Sequence, residues 1–123
     1  MDRSKEYVKM CNWEEIQEHT PEIGDFYWEE HIDGRETIWV VFDTGNNDYQ
    51  KLDWGTIWLP RQDQLQAMIC PPYGKCFDVW VACNDWWHLP GTRVGYCTSM
   101  EQLWLAFVMN EKYSKQWTGT AWE

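Results

Sequence analysis

Five cysteines and three histidines are the residues of this chain best suited to bind a metal or attack a carbonyl. Cys76, Cys83, His88 and Cys97 follow one another at steps of seven, five and nine residues. Structural zinc sites are built from tight pairs of the Cys-x2–4-Cys kind, which this set lacks; packed thiols and a surface histidine are the better reading. Nucleophilic catalysis would need a cysteine beside His19, His31 or His88, partners that meet only in space and leave no spacing to read. The neighbouring carboxylates Glu29 and Glu30 point to opposite faces of a strand, so they do not form an acid–base pair. No glycine-rich phosphate loop, Gly-x-Ser-x-Gly elbow or His-Glu-x-x-His run occurs. No metal, no cofactor and no catalytic residue is therefore expected, and binding is favoured over catalysis.

One motif argues the other way. Val40-Val41-Phe42-Asp43-Thr44-Gly45 resembles the active-site loop of aspartic proteases, where a strand delivers an aspartate into a Thr-Gly turn. That chemistry needs two aspartates sharing one proton, because like charges so close cannot both ionise. The resemblance implies that a chain this short would supply the second by dimerising. It departs from the family at Asn46, where Ala or Ser is usual, and no apolar-apolar-Gly segment follows to brace the loop. The competing reading is a strand that runs into a turn, with Asp43 bonding local amides.

Eleven tryptophans are several times the usual share. Trp39, Trp80 and Trp104 fall on apolar stripes and are expected in the core. Trp86-Trp87-His88 is different, because adjacent residues on one element cannot both face the same core. One of Trp86 and Trp87 is expected at a pocket rim or in an interface, where tryptophan is enriched. Stacking on a base, a nucleotide or a sugar is the other use of such a ring.

The charge is localised. Twenty acidic residues face ten basic ones, giving −10 with the histidines neutral. Between Asn12 and Glu36 lie Glu14, Glu15, Glu18, Glu22, Asp25, Glu29, Glu30, Asp33 and Glu36, against Arg35 alone, so nine minus one leaves −8 in that stretch. Such a field repels nucleic acid and anionic membrane and attracts basic surfaces. No direct nucleic-acid binding and no membrane association are expected. No apolar run approaches the ~20 residues that span a bilayer, and no hydrophobic stretch follows the charged first residues as in a secretory signal. An odd cysteine count at irregular positions argues against a secreted disulfide framework.

At 123 residues the chain has the size of a single domain. Ser4 caps a predicted helix over Lys5–Cys11, and Asn12 with Glu15 has the spacing of a capping box for a second short helix. Residues 26–59 change to strand texture, with a hairpin signal at Asp33-Gly34 and a second turn at Gly45–Asp48. A meander of three or four antiparallel strands is predicted, with pieces at 49–52 and 56–59. Pro60 opens a helix carrying Leu65, Met68 and Ile69, and Pro71-Pro72 should end it. Residues 77–89 fit either strict alternation or a helical stripe of Phe77, Trp80, Val81 and Trp87, with helix preferred. Thr98 or Ser99 caps the clearest helix, which carries Met100, Leu103, Trp104, Phe107 and Val108 on one stripe. Trp117 and Trp122 should pack back as a short terminal turn or strand. The fold class is α+β, a small antiparallel sheet of three to four strands packed against helices.

Two strings, Trp58-Leu59-Pro60-Arg61-Gln62-Asp63-Gln64-Leu65-Gln66 and Ser99–Met109, resemble a functionally uncharacterised family of small phage and prophage proteins from Firmicutes and gut metagenomes. The ending Trp117-Thr118-Gly119-Thr120-Ala121-Trp122 is similar to that family's Trp-x-Gly-x-x-Trp. The resemblance covers about the C-terminal half and carries no catalytic residues. It implies a phage accessory protein acting in the cytoplasm of a bacterial host cell. Joined to the acidic segment, it suggests an anti-CRISPR or other anti-defence inhibitor, presenting Glu14–Glu36 to the basic nucleic-acid-binding site of a host protein. The alternative of another class is a nucleotide-binding protein with a pocket lined by Trp86 and Trp87.

Overall fold

A computed structural model of the chain describes residues 1–42, 56–73, 76–92 and 94–123, and the side chains of all of these except 71–73 and 76. They form a three-stranded antiparallel sheet and five helices, an α+β architecture. They cluster into two compact units, one made of Arg3–Pro60 and one of Met1–Asp2 with Arg61–Glu123.

In the first unit, α1 spans Lys5–Cys11 and starts as its sequence dictates. Ser4 accepts the Tyr7 N–H at 3.1 Å, meeting one of the donors that a helix start leaves unpaired. Tyr7, Val8, Met10 and Cys11 are buried, and the Tyr7 hydroxyl donates to the Pro60 carbonyl at 2.6 Å. The second helix, α2 (Glu14–Gln17), is capped by the Trp13 backbone and not by Asn12. Asn12 is already the C-cap of α1, its N–H bonded to the Val8 carbonyl at 3.0 Å.

The strands are β1 (Phe26–Glu30), β2 (Glu36–Val40) and β3 (Thr56–Leu59). Gly34 turns the β1–β2 hairpin at φ +85°, a conformation that costs a side chain of ordinary handedness. The strand order is β2-β1-β3, so β1 is central and the predicted meander is corrected. The two outer strands differ in burial: Glu36 and Thr37 of β2 are exposed, whereas Ile57, Trp58 and Leu59 of β3 are buried. Tyr27 stacks on its cross-strand partner Trp39 at 5.3 Å. Burial, and then the charge of Asp25, push the Tyr27 phenol well above its usual range. The outer edge of β3 is occupied at Trp58. The Gln17 side chain accepts the Trp58 N–H at 2.9 Å and donates to its carbonyl at 3.1 Å, as a neighbouring strand would. The expected turn at 45–48 and strand at 49–52 lie outside the described residues.

The second unit is helical. Helix α3 runs Gln62–Tyr73, so it starts after Pro60 and continues through Pro71 and Pro72. Each proline removes its own N–H from the helical ladder and crowds the carbonyl four residues earlier, and the helix ends at Tyr73, one residue past Pro72. Helix α4 spans Cys76–Trp87, the preferred of the two readings. Helix α5 spans Met100–Tyr113 and buries every residue from Gln102 to Met109. Ser99 caps it, accepting the Gln102 N–H at 3.1 Å. The fully buried Gln102 side chain accepts the Thr98 N–H at 3.0 Å and donates to Thr98 Oγ1 at 3.1 Å and to Asp2 at 2.8 Å. Trp117 and Trp122 close the chain as an isolated antiparallel bridge with their rings 5.2 Å apart.

Candidate functional site

Helix α4 carries large apolar residues on more than one face, so its pattern alone leaves open which face is packed. Its inward row is Val79, Cys83 and Trp86, at the i, i+4, i+7 spacing of one helical face. Trp86 rests on Phe107 of α5 with ring centroids 5.3 Å apart. An adjoining row carries Phe77 at 71% exposure, Trp80 at 52% and Trp87 at 47%. Trp80 is therefore not the core residue its periodicity suggested, because the stripe of Phe77, Trp80 and Trp87 is the outward one. Of the tryptophan pair, Trp86 is buried and Trp87 faces solvent.

Trp80 and Trp87 do not stand alone. With Met100, 46% exposed at the start of α5, they line a cleft of about 100 Å³ whose floor includes Leu103 and Trp104. The Trp104 ring N–H has no acceptor among the described residues. Asp78 and Asp85 are exposed on the flank of α4 away from Trp80 and Trp87, and α4 contains no basic residue. His88 ends the helix, its Nδ1 lying 2.7 Å from the Asn84 carbonyl.

The acidic segment divides by burial. Glu14, Glu18, Glu22, Glu30, Asp33 and Glu36 are exposed, and Glu15 and Glu29 are half-buried. Asp33 pairs with Arg35, whose backbone N–H, ahead of its guanidinium, holds the Asp33 carboxyl below its usual range. Asp25 is a correction to the acidic surface, since it is 0% exposed. A carboxylate without solvent needs partners. Asp25 takes His19 Nε2 at 2.7 Å and the Glu22 N–H at 2.7 Å. His19 in turn lies flat on Trp58, with ring centroids 3.6 Å apart. This pair pins the loop before β1.

Two of the thiols are poor nucleophiles. Burial raises Cys83 to about 12 and Cys97 to about 11, so both stay protonated near neutral pH. Among the described residues, no three Cys, His, Asp or Glu side chains gather as a metal site. Asp43 and its Thr-Gly turn lie outside the described residues. Among the described residues no helix is long and apolar enough to cross a membrane.

A second concavity lies in the first unit and was not anticipated. The outer side of α1 and the face of the β1–β2 hairpin carrying Trp28 enclose a groove of about 560 Å³. Its residue types were legible only as separate features: Lys5 and Lys9 at helical spacing, and Trp28 and Glu30 on one face of a strand. Comparison with protein families, with curated proteins and with solved structures finds no significant match to this chain.

Proposed function

We propose that this protein acts by binding a partner protein, and that the outward row of α4 is where the partner docks. One observation carries the reading: Phe77, Trp80 and Trp87 are exposed in line on one helix face, with a cleft between Trp80, Trp87 and Met100. Exposed aromatic rows of this kind are costly to leave in water and are the residue types that anchor interfaces. The net charge of −10 favours a basic partner. A second copy of the chain is disfavoured, because it carries the same negative charge.

The acidic segment Glu14–Glu36 supports the same sign of partner through its six exposed carboxylates. In the phage setting that the sequence resemblance implies, the occupant is the basic nucleic-acid-binding site of a bacterial host protein, as for an anti-CRISPR or another anti-defence inhibitor. The test is capture of purified basic nucleases, one class of such proteins, on the immobilised chain across a salt series. Binding should weaken steeply with salt, be displaced by duplex DNA, and fall more than about tenfold in Trp80→Ser/Trp87→Ser. Salt-insensitive binding, or a captured nuclease that holds DNA undisturbed, would overturn the reading.

A further inference from the structure

The groove between α1 and the β1–β2 hairpin has an unusual charge layout. One wall is α1, with Lys5 and Lys9 one helical turn apart and Asn12 at its end. The other is the hairpin, with Glu30 and Glu36 directly opposite one another across the strand pair. Between the walls lie the apolar surfaces of Val8, Trp28 and Ile57. Like charges at i, i+4 on a helix, and like charges directly opposed across two strands, each oppose folding modestly. Among the described residues, none of these four side chains makes an ion pair. The fold thus holds two ammonium groups against two carboxylates with an apolar floor between them, and gains nothing from either pair.

We infer that this groove binds a zwitterion with an aromatic or branched apolar body, of the size of a short peptide with free ends. A carboxylate of the ligand would sit between Lys5 and Lys9, an ammonium between Glu30 and Glu36, and the apolar body against Trp28. Each end relieves one like-charge pair. The volume of about 560 Å³ lies within the usual ~300–1,000 Å³ of small-molecule sites and exceeds what a single amino acid fills. A nucleotide suits the site less well, because Glu30 and Glu36 would repel its phosphates.

Isothermal titration with the tripeptide Gly-Phe-Gly tests this, using the free-ended, N-acetylated, C-amidated and doubly blocked forms, with AMP as a separate arm. The free-ended peptide should bind best, and each blocked end should weaken binding by about fivefold or more, the worth of one favourable ion pair. Lys5→Ala/Lys9→Ala should erase the effect of amidation and keep that of acetylation. Glu30→Gln/Glu36→Gln should do the reverse, so each variant carries its own evidence of an intact fold. Equal binding of all four peptides, preference for AMP, or no heat from any ligand would overturn the inference.

Discussion

Helices α4 and α5 are of similar length, similar composition and opposite use. Every residue of α5 from Gln102 to Met109 is buried, and its tryptophan packs edge-on against Phe107 at 6.0 Å. In α4 the aliphatic Val79 and the thiol of Cys83 face inward beside Trp86, while Phe77, Trp80 and Trp87 face water. Packing accounts for the aromatic residues of α5 and for one of those in α4. The remaining three are large apolar groups that the fold does not use. That surplus is what the docking proposal rests on.

The contrast can be broken at either helix. Trp104→Ala should cost about 3–5 kcal/mol in urea unfolding, because a fully buried ring leaves a cavity. A loss below about 1 kcal/mol would mean that α5 is not the core helix. Gln102→Ala should cost about 1–3 kcal/mol, since it removes the side chain that accepts the Thr98 N–H and one of the donors to Asp2 at the start of α5. Glutamate at the same position should not restore the loss, as it cannot donate to Asp2.

Cys83 gives a test by pH on the inward side of α4. Its thiol pKa is raised from about 9 to about 12 in the folded chain, chiefly by burial. The unfolded chain therefore loses protons first as pH climbs past about 9, and stability present below that value drains away. The drop should be on the order of 1 kcal/mol by about pH 10, and the slope should flatten in Cys83→Ser, which does not titrate. The smallest stability effect belongs to the outward row. Trp80→Ser and Trp87→Ser should each change unfolding by about 1 kcal/mol or less, while partner binding collapses. If these two destabilise as much as Trp104→Ala, the row is core and the docking proposal fails.

Local chemistry was legible in the sequence, and long-range arrangement was not. Lys5–Cys11 and Thr56–Leu59 are read to the residue, and Ser99 as a cap, because capping and strand patterning depend on neighbours a few positions apart. Strand order was missed, since nothing in β1, β2 or β3 records which pairs with which until burial is known. The stripe of Phe77, Trp80, Val81 and Trp87 is not the buried face of α4, because large apolar residues occur on more than one of its faces and the pattern does not rank them. Asp25 looked like one more surface acid, and only the loop geometry that brings His19 to it reveals otherwise. Of the candidate binding residues, the exposure of one member of the Trp86–Trp87 pair followed from helix geometry, but Phe77, Trp80 and Met100 did not. The groove is not legible in the sequence because its walls come from α1, which ends at Cys11, and from a hairpin that begins only at Phe26.

The amide of Gln17 has a consequence for the chain at high concentration. A bare strand edge is a template on which identical chains can stack into fibrils. At Trp58 that template is already taken, so a second molecule seeking to extend the sheet at β3 would first have to evict Gln17. Gln17→Ala should leave the native fold largely intact and shorten the lag before fibril growth, a penalty visible only when many copies crowd together.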